Sequence, residues 1–337
     1  MKVLVTGPDG LLGSNLVREL ISRKYKVFAF VEKNKDSKTI SDLDLEMIQG
    51  NILEKSEVLS ATEGMDVVIH CAAMTNMYPP RMEMVNKVNI QGTENMIAAS
   101  QKNSVKRFIY VGTANSFRSG NKENPGNELN EYGAGRYGLD YMDSKYKAQL
   151  LVLDKVQNEG LDAVVVNPTF MIGPYDSRPS SGEMIRGVYN KKVPGYPLGG
   201  KNYVSVKDVS VAITNAITKG KKGNCYILGN ENLTFKEAFD KIARCTNSKA
   251  PRLKLSKSLI RTYGKGSSIF AKIFNLNPKI THELAILASE THYYSAQKAV
   301  NELDMPQTPI EEAIHECYNW FIENDYITEK SHRCFNH

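Results

Sequence analysis

The chain has 337 residues, 41% of them hydrophobic and 24% charged, with a formal net charge of +6, which is enough apolar material for one large sheet core and a smaller lobe. Five cysteines (Cys71, Cys225, Cys245, Cys317, Cys334) without Cys-x-x-Cys spacing, and six histidines without metal-ligand spacing, argue against a disulfide scaffold or a metal site and for a cytoplasmic protein. The chain opens in an apolar run and has no stretch of 18 apolar residues, so neither a signal peptide nor a spanning helix is expected, and the modest charge comes without nucleic-acid-binding motifs.

Residues 2–5 read as a buried strand. Thr6-Gly7-Pro8-Asp9-Gly10-Leu11-Leu12-Gly13 follows, and Leu11, Leu12, Leu16, Val17, Leu20 and Ile21 then recur at helical spacing. In a strand, glycine turn and helix, Gly7 permits the tight turn, Gly10 lets backbone approach a diphosphate, and Gly13 lets helix pack on strand. The free N–H groups at the helix start face the anion. Further apolar runs at 26–31, 46–49, 66–70, 106–111 and 162–167 alternate with helical stretches. This pattern predicts an α/β protein with a doubly wound parallel sheet. The run at 106–111 leads into Gly112-Thr113-Ala114-Asn115-Ser116, at the strand end where ligands of open α/β sheets collect.

Tyr-x-x-x-Lys occurs four times, as Tyr141/Lys145, Tyr203/Lys207, Tyr294/Lys298 and Tyr326/Lys330. Residues 141–156 have the composition of a helix, which puts Tyr141 and Lys145 on one face. Residues 203–209 alternate like a strand, where such a pair is separated by about 13 Å of rise. Residues 311–320 look like a closing helix.

Together these motifs resemble the extended short-chain dehydrogenases/reductases over essentially the whole chain. Asp66-Val67-Val68-Ile69-His70-Cys71-Ala72-Ala73, Val88-Asn89-Ile90-Gln91-Gly92-Thr93, Asn167-Pro168-Thr169-Phe170-Met171-Ile172-Gly173-Pro174 and Tyr203-Val204-Ser205-Val206-Lys207-Asp208-Val209 resemble later signatures of that superfamily. The likeness is greatest to dihydroflavonol-reductase-like and 3β-hydroxysteroid-dehydrogenase-like members. The resemblance implies a Rossmann-type sheet with a smaller, mostly helical C-terminal substrate lobe. Residues 1–174, with 203–228 returning to the sheet, would form the cofactor domain; 175–202 and 229–337 would form the lobe. A homodimer through helices near 82–103 and 141–158 is implied by analogy.

The resemblance also implies roles. Tyr141 is the general acid/base, and Lys145 lowers its pKa from near 10 and binds the nicotinamide ribose. Thr113 hydrogen-bonds the reacting oxygen. The cofactor, NAD or NADP, would be held by Gly7, Asp9, Gly10, Leu11, Leu12 and Gly13 at the diphosphate, and by Glu32, Lys33, Asn51 and Ile52 at the adenosine. Cys71, Ala72, Ala73, Tyr141, Lys145, Asn167, Pro168 and Thr169 would complete the site.

Val31 ends the second strand where many NAD-preferring relatives have an acid, and Glu32 follows where NADP-using relatives often have arginine. Glu32 disfavours a 2′-phosphate, whereas Lys33, Lys35 and Lys38 attract one; the balance leans to NAD. Asn51 replaces the usual aspartate, and its amide still accepts from the adenine amino group. Lys201 stands where sugar-nucleotide epimerases carry an arginine for the substrate diphosphate, and lysine lacks the bidentate fork. Met74, Met77, Tyr78, Phe170, Met171 and Ile172 make the expected pocket segments rather apolar.

The expected activity is therefore NAD(P)-dependent interconversion of a secondary alcohol and a ketone on a medium-sized, partly apolar small molecule. A sugar-nucleotide epimerase or dehydratase is the alternative. A cofactor-sensing regulator would have lost Tyr141 and Lys145, and both are present. Residues 252–279 mix Arg252, Lys254, Lys257, Arg261, Lys265, Lys272 and Lys279 with Leu255, Leu259, Ile260, Ile269, Phe270, Ile273 and Phe274, as a helical lobe segment, a lid or a membrane-surface element would.

Overall fold

The computed structural model describes residues 1–35, 37–274 and 281–328. The first half runs β1 (Lys2–Thr6), α1 (Leu11–Ser22), β2 (Lys26–Val31), β3 (Glu46–Gln49), α2 (Lys55–Ala61), β4 (Val67–His70) and α3 (Glu83–Asn86), which passes through a π turn at Lys87–Gln91 into α4 (Gly92–Lys102). β5 (Arg107–Val111), α5 (Asp140–Glu159) and β6 (Ala163–Pro168) follow. The second half contains β7 (Phe170–Ile172), α6 (Glu183–Tyr189), β8 (Gly200–Ser205), α7 (Val206–Lys219), β9 (Cys225–Leu228), β10 (Glu231–Thr234), α8 (Phe235–Cys245), α9 (Lys257–Phe274), α10 (His282–Ala288), β11 (Thr291–His292), α11 (Gln297–Leu303) and α12 (Ile310–Glu323).

Seven strands form one sheet in the order β3-β2-β1-β4-β5-β6-β9, all of them parallel. Apart from the largely exposed edge strand β3, their sequences are mostly apolar runs because both faces are covered. Val3, Val5, Ala29, Ile69, Ile109 and Val166 face a core shared with Leu16, Val17 and Leu20 of α1 and with Ile213 and Ala216 of α7. The alternate residues Leu4, Phe28, Val68, Phe108 and Val165 face Met96 and Ile97 of α4 and Ala148 and Val152 of α5. From β1 the chain winds outward through β2 and β3, then crosses back to β4 and winds the other way. The crevice at the carboxyl ends of β1 and β4 is therefore the topological switch point, where Thr6 lies in register with His70.

A second, smaller sheet supports the lobe. β8 pairs antiparallel with β10 along one edge. Along the other edge it pairs in succession with β11, at Gly200 and Lys201, and with β7, at Tyr203 to Ser205. Helices α6, α8 and α12 close over it through Tyr203, Phe235, Phe239, Ile242, Ile314 and Phe321. A capping box between Thr234 and Glu237 starts α8.

This topology corrects two expectations. Residues 203–209 are not one strand: β8 ends at Ser205, whose hydroxyl accepts from Lys207 N and caps α7, so side-chain capping overrides the alternating pattern. Residues 203–228 also do not return to the large sheet as one piece. Gly200–Ser205 belongs to the small sheet, α7 packs back beside α1, and Cys225–Leu228 pairs with β6. Of the basic segment at 252–279, residues Lys257–Phe274 are helical; the side chains of Ile269, Phe270, Lys272, Ile273 and Phe274 and all of Lys279 lie outside the described residues, as do Lys330 and Cys334. Among the described residues no helix is long and apolar enough to cross a membrane.

Gly13 shows how tightly α1 sits on its loop. A Cβ there would lie 2.1 Å from Gly7 O and 2.6 Å from Pro8 Cα, both backbone atoms that cannot rotate away. Gly13→Ala is expected to lower the free energy of unfolding by about 1–3 kcal/mol, read as a lower urea midpoint at unchanged slope. An unchanged midpoint would mean that the loop yields freely.

Candidate active site

The switch-point crevice is assembled from backbone first. Gly7 has φ +65°, and a Cβ on it would stand 2.9 Å from Ala72 Cα, so only glycine fits between the ends of β1 and β4. Gly10 is the N-cap of α1, and no side chain caps that end and no acid occupies its first turn. A Cβ on Gly10 would meet only Gly7 O, at 3.7 Å. The space over Gly10 and the uncapped N–H groups of Leu11, Leu12 and Gly13 therefore fit a dinucleotide diphosphate. Asp9 is buried, and its carboxylate pairs with Arg178 at 2.7 Å. Arg178, in the loop after β7, was missed in the sequence; it offsets a negative charge that would otherwise repel the diphosphate.

A hydrogen-bonded chain extends from this loop to the catalytic helix. Thr6 Oγ1 accepts from Ala72 N (3.1 Å) and bonds His70 Nδ1 (2.8 Å), while His70 Nε2 bonds Thr93 Oγ1 (3.1 Å). Thr93 Oγ1 donates to Asn89 O (2.7 Å), so it accepts from Nε2–H. Burial pushes the His70 pKa down to about 3. Asn89, in the π turn, accepts from Met74 N (2.8 Å) and donates to Ser144 Oγ (2.9 Å), which donates to Tyr141 O (3.0 Å). Asn89 also escaped the sequence reading of site residues; the π turn that aims its side chain leaves no separate mark in the pattern.

Tyr141 and Lys145 lie on the first two turns of α5. That end is fixed by Asp140, which accepts from Arg81 and from Met82 N, each at 2.7 Å. Lys145 is 3% exposed. Its Nζ donates to Val111 O at 2.6 Å and stands 4.4 Å from the centre of the Tyr110 ring. Burial lowers its pKa to about 7 and raises that of the neighbouring Cys71 to about 12, Lys145 pulling the thiol part of the way back. In the protein alone, burial raises the Tyr141 phenol and contact with Thr113 opposes it, while the Lys145 ammonium donates to Val111 O. Thr113 itself is buried at the end of β5, where its hydroxyl accepts from Asn115 N. Asn167 donates to Thr113 O (3.0 Å) and Gln149 Oε1 (2.8 Å) and leaves its buried Oδ1 without a partner among the described residues. Gly112 makes room for it: a Cβ there would be 2.5 Å from Asn167 Nδ2.

At the adenosine end, Glu32 is exposed and pairs with Lys35 at 3.1 Å. Lys33 pairs with Glu57, lowering that carboxyl's pKa together with Asn51 N. Asn51 Oδ1 accepts from Leu53 N, and Ile52 O from Asn95.

A cavity of about 160 Å³ joins sheet and lobe. Thr113, Tyr141, Pro168 and Thr169 line it with Met77, Phe170 and Lys201, as do Asn115, Leu287, His292 and Tyr294, which were not expected. The positions of His292 and Tyr294 depend on β11 pairing with β8, a contact that no local motif announces. A wider surface cleft of about 350 Å³, lined by Arg118, Tyr132, Gly133, Gly135 and Arg136, contains none of the expected residues. Thr169 Oγ1 is engaged with Asn202 and Leu228 O. Ile172 lies in the lobe core rather than on the cavity wall. The other tyrosine–lysine pairs do structural work: Tyr203 is buried in the lobe and Lys207 pairs with Glu316. Tyr294 donates to Phe117 O, Lys298 to Cys225 O, and Tyr326 to Ser177 O. No group of side chains suited to holding a metal ion occurs among the described residues.

Residues 3–229 match the model of the NAD dependent epimerase/dehydratase family. The chain is 28% identical over 328 residues to a putative dihydroflavonol 4-reductase of Synechocystis sp., covering 96% of this chain and 95% of that one. It is 24% identical over 343 residues to a 3-beta-hydroxysteroid dehydrogenase of Mycolicibacterium neoaurum, covering 96% and 92%. Its fold superimposes on the crystal structure of gox2253 with a TM-score of 0.85 and 28% identity, over 96% of this chain and 98% of that one. With matching sequence, sheet order and diphosphate cradle, the chain belongs to the NAD dependent epimerase/dehydratase family, within the extended short-chain dehydrogenases/reductases.

Proposed function

We propose that this enzyme interconverts a secondary alcohol and a ketone on a medium-sized, partly apolar substrate, with Tyr141 as general acid/base. The observation that carries the reading is that Tyr141 and Thr113 meet in one small cavity whose other walls include Met77, Phe170 and Leu287. The two hydroxyls converge on one oxygen: Thr113 orients it, and Tyr141 gives or takes its proton. The nicotinamide supplies or accepts the hydride when bound. Lys145, near neutrality in its pKa, is suited to exchange protons behind Tyr141 and to hold the nicotinamide ribose, while Asn89 and Ser144 fix the Tyr141 backbone. Leu287 keeps water from the reacting face. The 3-beta-hydroxysteroid dehydrogenase and dihydroflavonol 4-reductase names of the relatives support this direction. A sugar-nucleotide epimerase remains the second reading because Lys201 enters the same cavity, but a single lysine lacks the bidentate fork that suits a diphosphate. Met84 and Leu150, 45% and 46% exposed on α3 and α5, support a homodimer through those helices. Free Cys71, Cys225, Cys245 and Cys317 support a cytoplasmic location.

NAD is the proposed cofactor. Lys33 and Lys35 are already paired with Glu57 and Glu32, so the basic cluster is balanced by carboxylates that repel a 2′-phosphate.

Tyr141→Phe is expected to lower turnover of any ketone or alcohol accepted by the wild type at least about 100-fold with an unchanged NADH dissociation constant. Lys145→Met is expected to weaken NADH binding as well. Near-normal turnover by Tyr141→Phe rejects the assignment, and return of the dinucleotide unchanged over a full conversion favours the epimerase.

Two substitutions test the cofactor site directly. Gly10→Ser places a side chain in the diphosphate path where the protein itself leaves room, so it is expected to weaken NADH binding at least about 10-fold while the melting temperature holds, since serine is a good N-cap. Glu32→Arg is expected to shift preference towards NADPH by supplying a planar fork for phosphate. A wild-type preference for NADPH that weakens steeply with salt would show that the lysines dominate.

A further inference from the structure

Lys201 is the one cation lining the Tyr141 cavity, and no carboxylate among the described residues pairs with it. It stands mid-strand in β8, in register with Leu233 on one side and His292 on the other. Its ammonium lies 4.1 Å from the centre of the Phe170 ring, and among the described residues its side chain makes no hydrogen bond and no ion pair. No carboxylate lines the cavity. The groups that face it are His292 from β11, Tyr294 just beyond, Tyr141 from α5 and Phe170 from β7. His292 Nε2 lies 3.2 Å from Leu287 O. Burial, reinforced by Lys201, lowers the His292 pKa to about 4, so at neutral pH it adds no second charge. Lys201 is half-buried, and an ammonium drawn partly out of water without an anion is costly. Burial correspondingly lowers the Lys201 pKa to about 8, which leaves it mostly protonated at neutral pH and ready to gain from a partner. Asn202 cannot act as a further donor, because its amide already serves Asn230 O, Asn232 Oδ1 and Tyr294 O.

We propose that Lys201 binds a carboxylate of the substrate, and that the substrate is a hydroxy acid or keto acid with this carboxylate a few bonds from the reacting carbon. This rests on the alcohol–ketone reading above and narrows it. One uncompensated positive charge matches one negative charge, and no second cation lines the cavity to balance the further charge of a diphosphate. The lysine lacks the fork that suits phosphate oxygens in pairs. Phe170 and Met77 accommodate the apolar remainder. The carboxylate is unchanged by the reaction: the alcohol loses a hydride to NAD and a proton to Tyr141, and the acid group serves to fix which carbon is presented.

The test compares medium-chain 3-oxo acids, their methyl esters and the corresponding neutral ketones with NADH on the full chain. The wild type is expected to prefer acid over ester about 10- to 100-fold in kcat/KM, the range of a charge-assisted hydrogen bond. Lys201→Met is expected to abolish that preference, through KM of the acid, while ester turnover and melting temperature hold. Lys201→Arg is expected to retain part of the preference. The acid-to-ester ratio of the wild type should fall as pH rises through about 8, where the free ammonium loses its proton. Equal use of acid and ester by the wild type, or equal losses for both in Lys201→Met, overturns the proposal and leaves the alcohol–ketone reading standing if Tyr141→Phe still abolishes turnover. Competition by uridine diphosphate that depends on Lys201 also overturns it, assigning the lysine to a nucleotide diphosphate. Absence of turnover across all three series with NADH bound overturns the broader reading together with this one.

Discussion

The close approach of the loop after β1 to the loop after β4 governs the rest of the molecule. Gly7 and Ala72 touch through backbone alone, so the two strands on which the winding reverses end in a crevice and not in a filled turn. The same contact fixes Thr6 against His70 and Ala72 N, and from there hydrogen bonds pass through Thr93, Asn89 and Ser144 to the first turn of α5. Diphosphate cradle and catalytic helix are thus set by one buried polar network. All of its members are small neutral groups, whose bonds cost little to bury once they are satisfied.

Burial, and not pairing, dominates the electrostatics of the site. It neutralises His70, lowers Lys145, and raises Cys71 and Tyr141. No carboxylate appears among the causes of these shifts, so the protein alone presents a poorly polarised, low-dielectric chamber. In such surroundings two unit charges 4 Å apart interact by about 4 kcal/mol at an effective dielectric of about 20. The charges that arrive with dinucleotide and substrate are therefore the ones best placed to move the pKa values of Tyr141 and Lys145.

Much of this was legible in the chain, for reasons particular to each element. The strands at 2–6, 26–31 and 107–111 announce themselves because parallel strands covered on both faces need nearly unbroken apolar runs. The glycine loop is equally plain, since backbone approach leaves no alternative residue at Gly7 or Gly13. The lobe was harder to read. Ser205 ends a strand by capping a helix in the middle of an alternating pattern. His292 reaches the cavity through a two-residue strand paired with β8 across some ninety positions of sequence. Arg178 and Asn89 act through long-range contacts with Asp9 and Met74, and neither lies in a motif that names its partner. Lys145 was placed correctly on the face of α5 shared with Tyr141, but the direction of its ammonium depends on Val111 O, which helical spacing does not contain.

These differences follow the division of labour in the fold. Thr113 and Tyr141 reach the cavity from the large sheet and α5, where local patterns are plain, and Phe170 on β7, Lys201 on β8 and His292 on β11 reach it from the small sheet. The two sheets meet where Thr169 donates to Asn202 and to Leu228 O, so the lobe is held in register with β6 and β9 by backbone and amide groups that carry no substrate information. The small-sheet residues that line the cavity thus sit in strands whose pairing is non-local, and this is why sequence pattern alone did not bring them beside Thr113 and Tyr141.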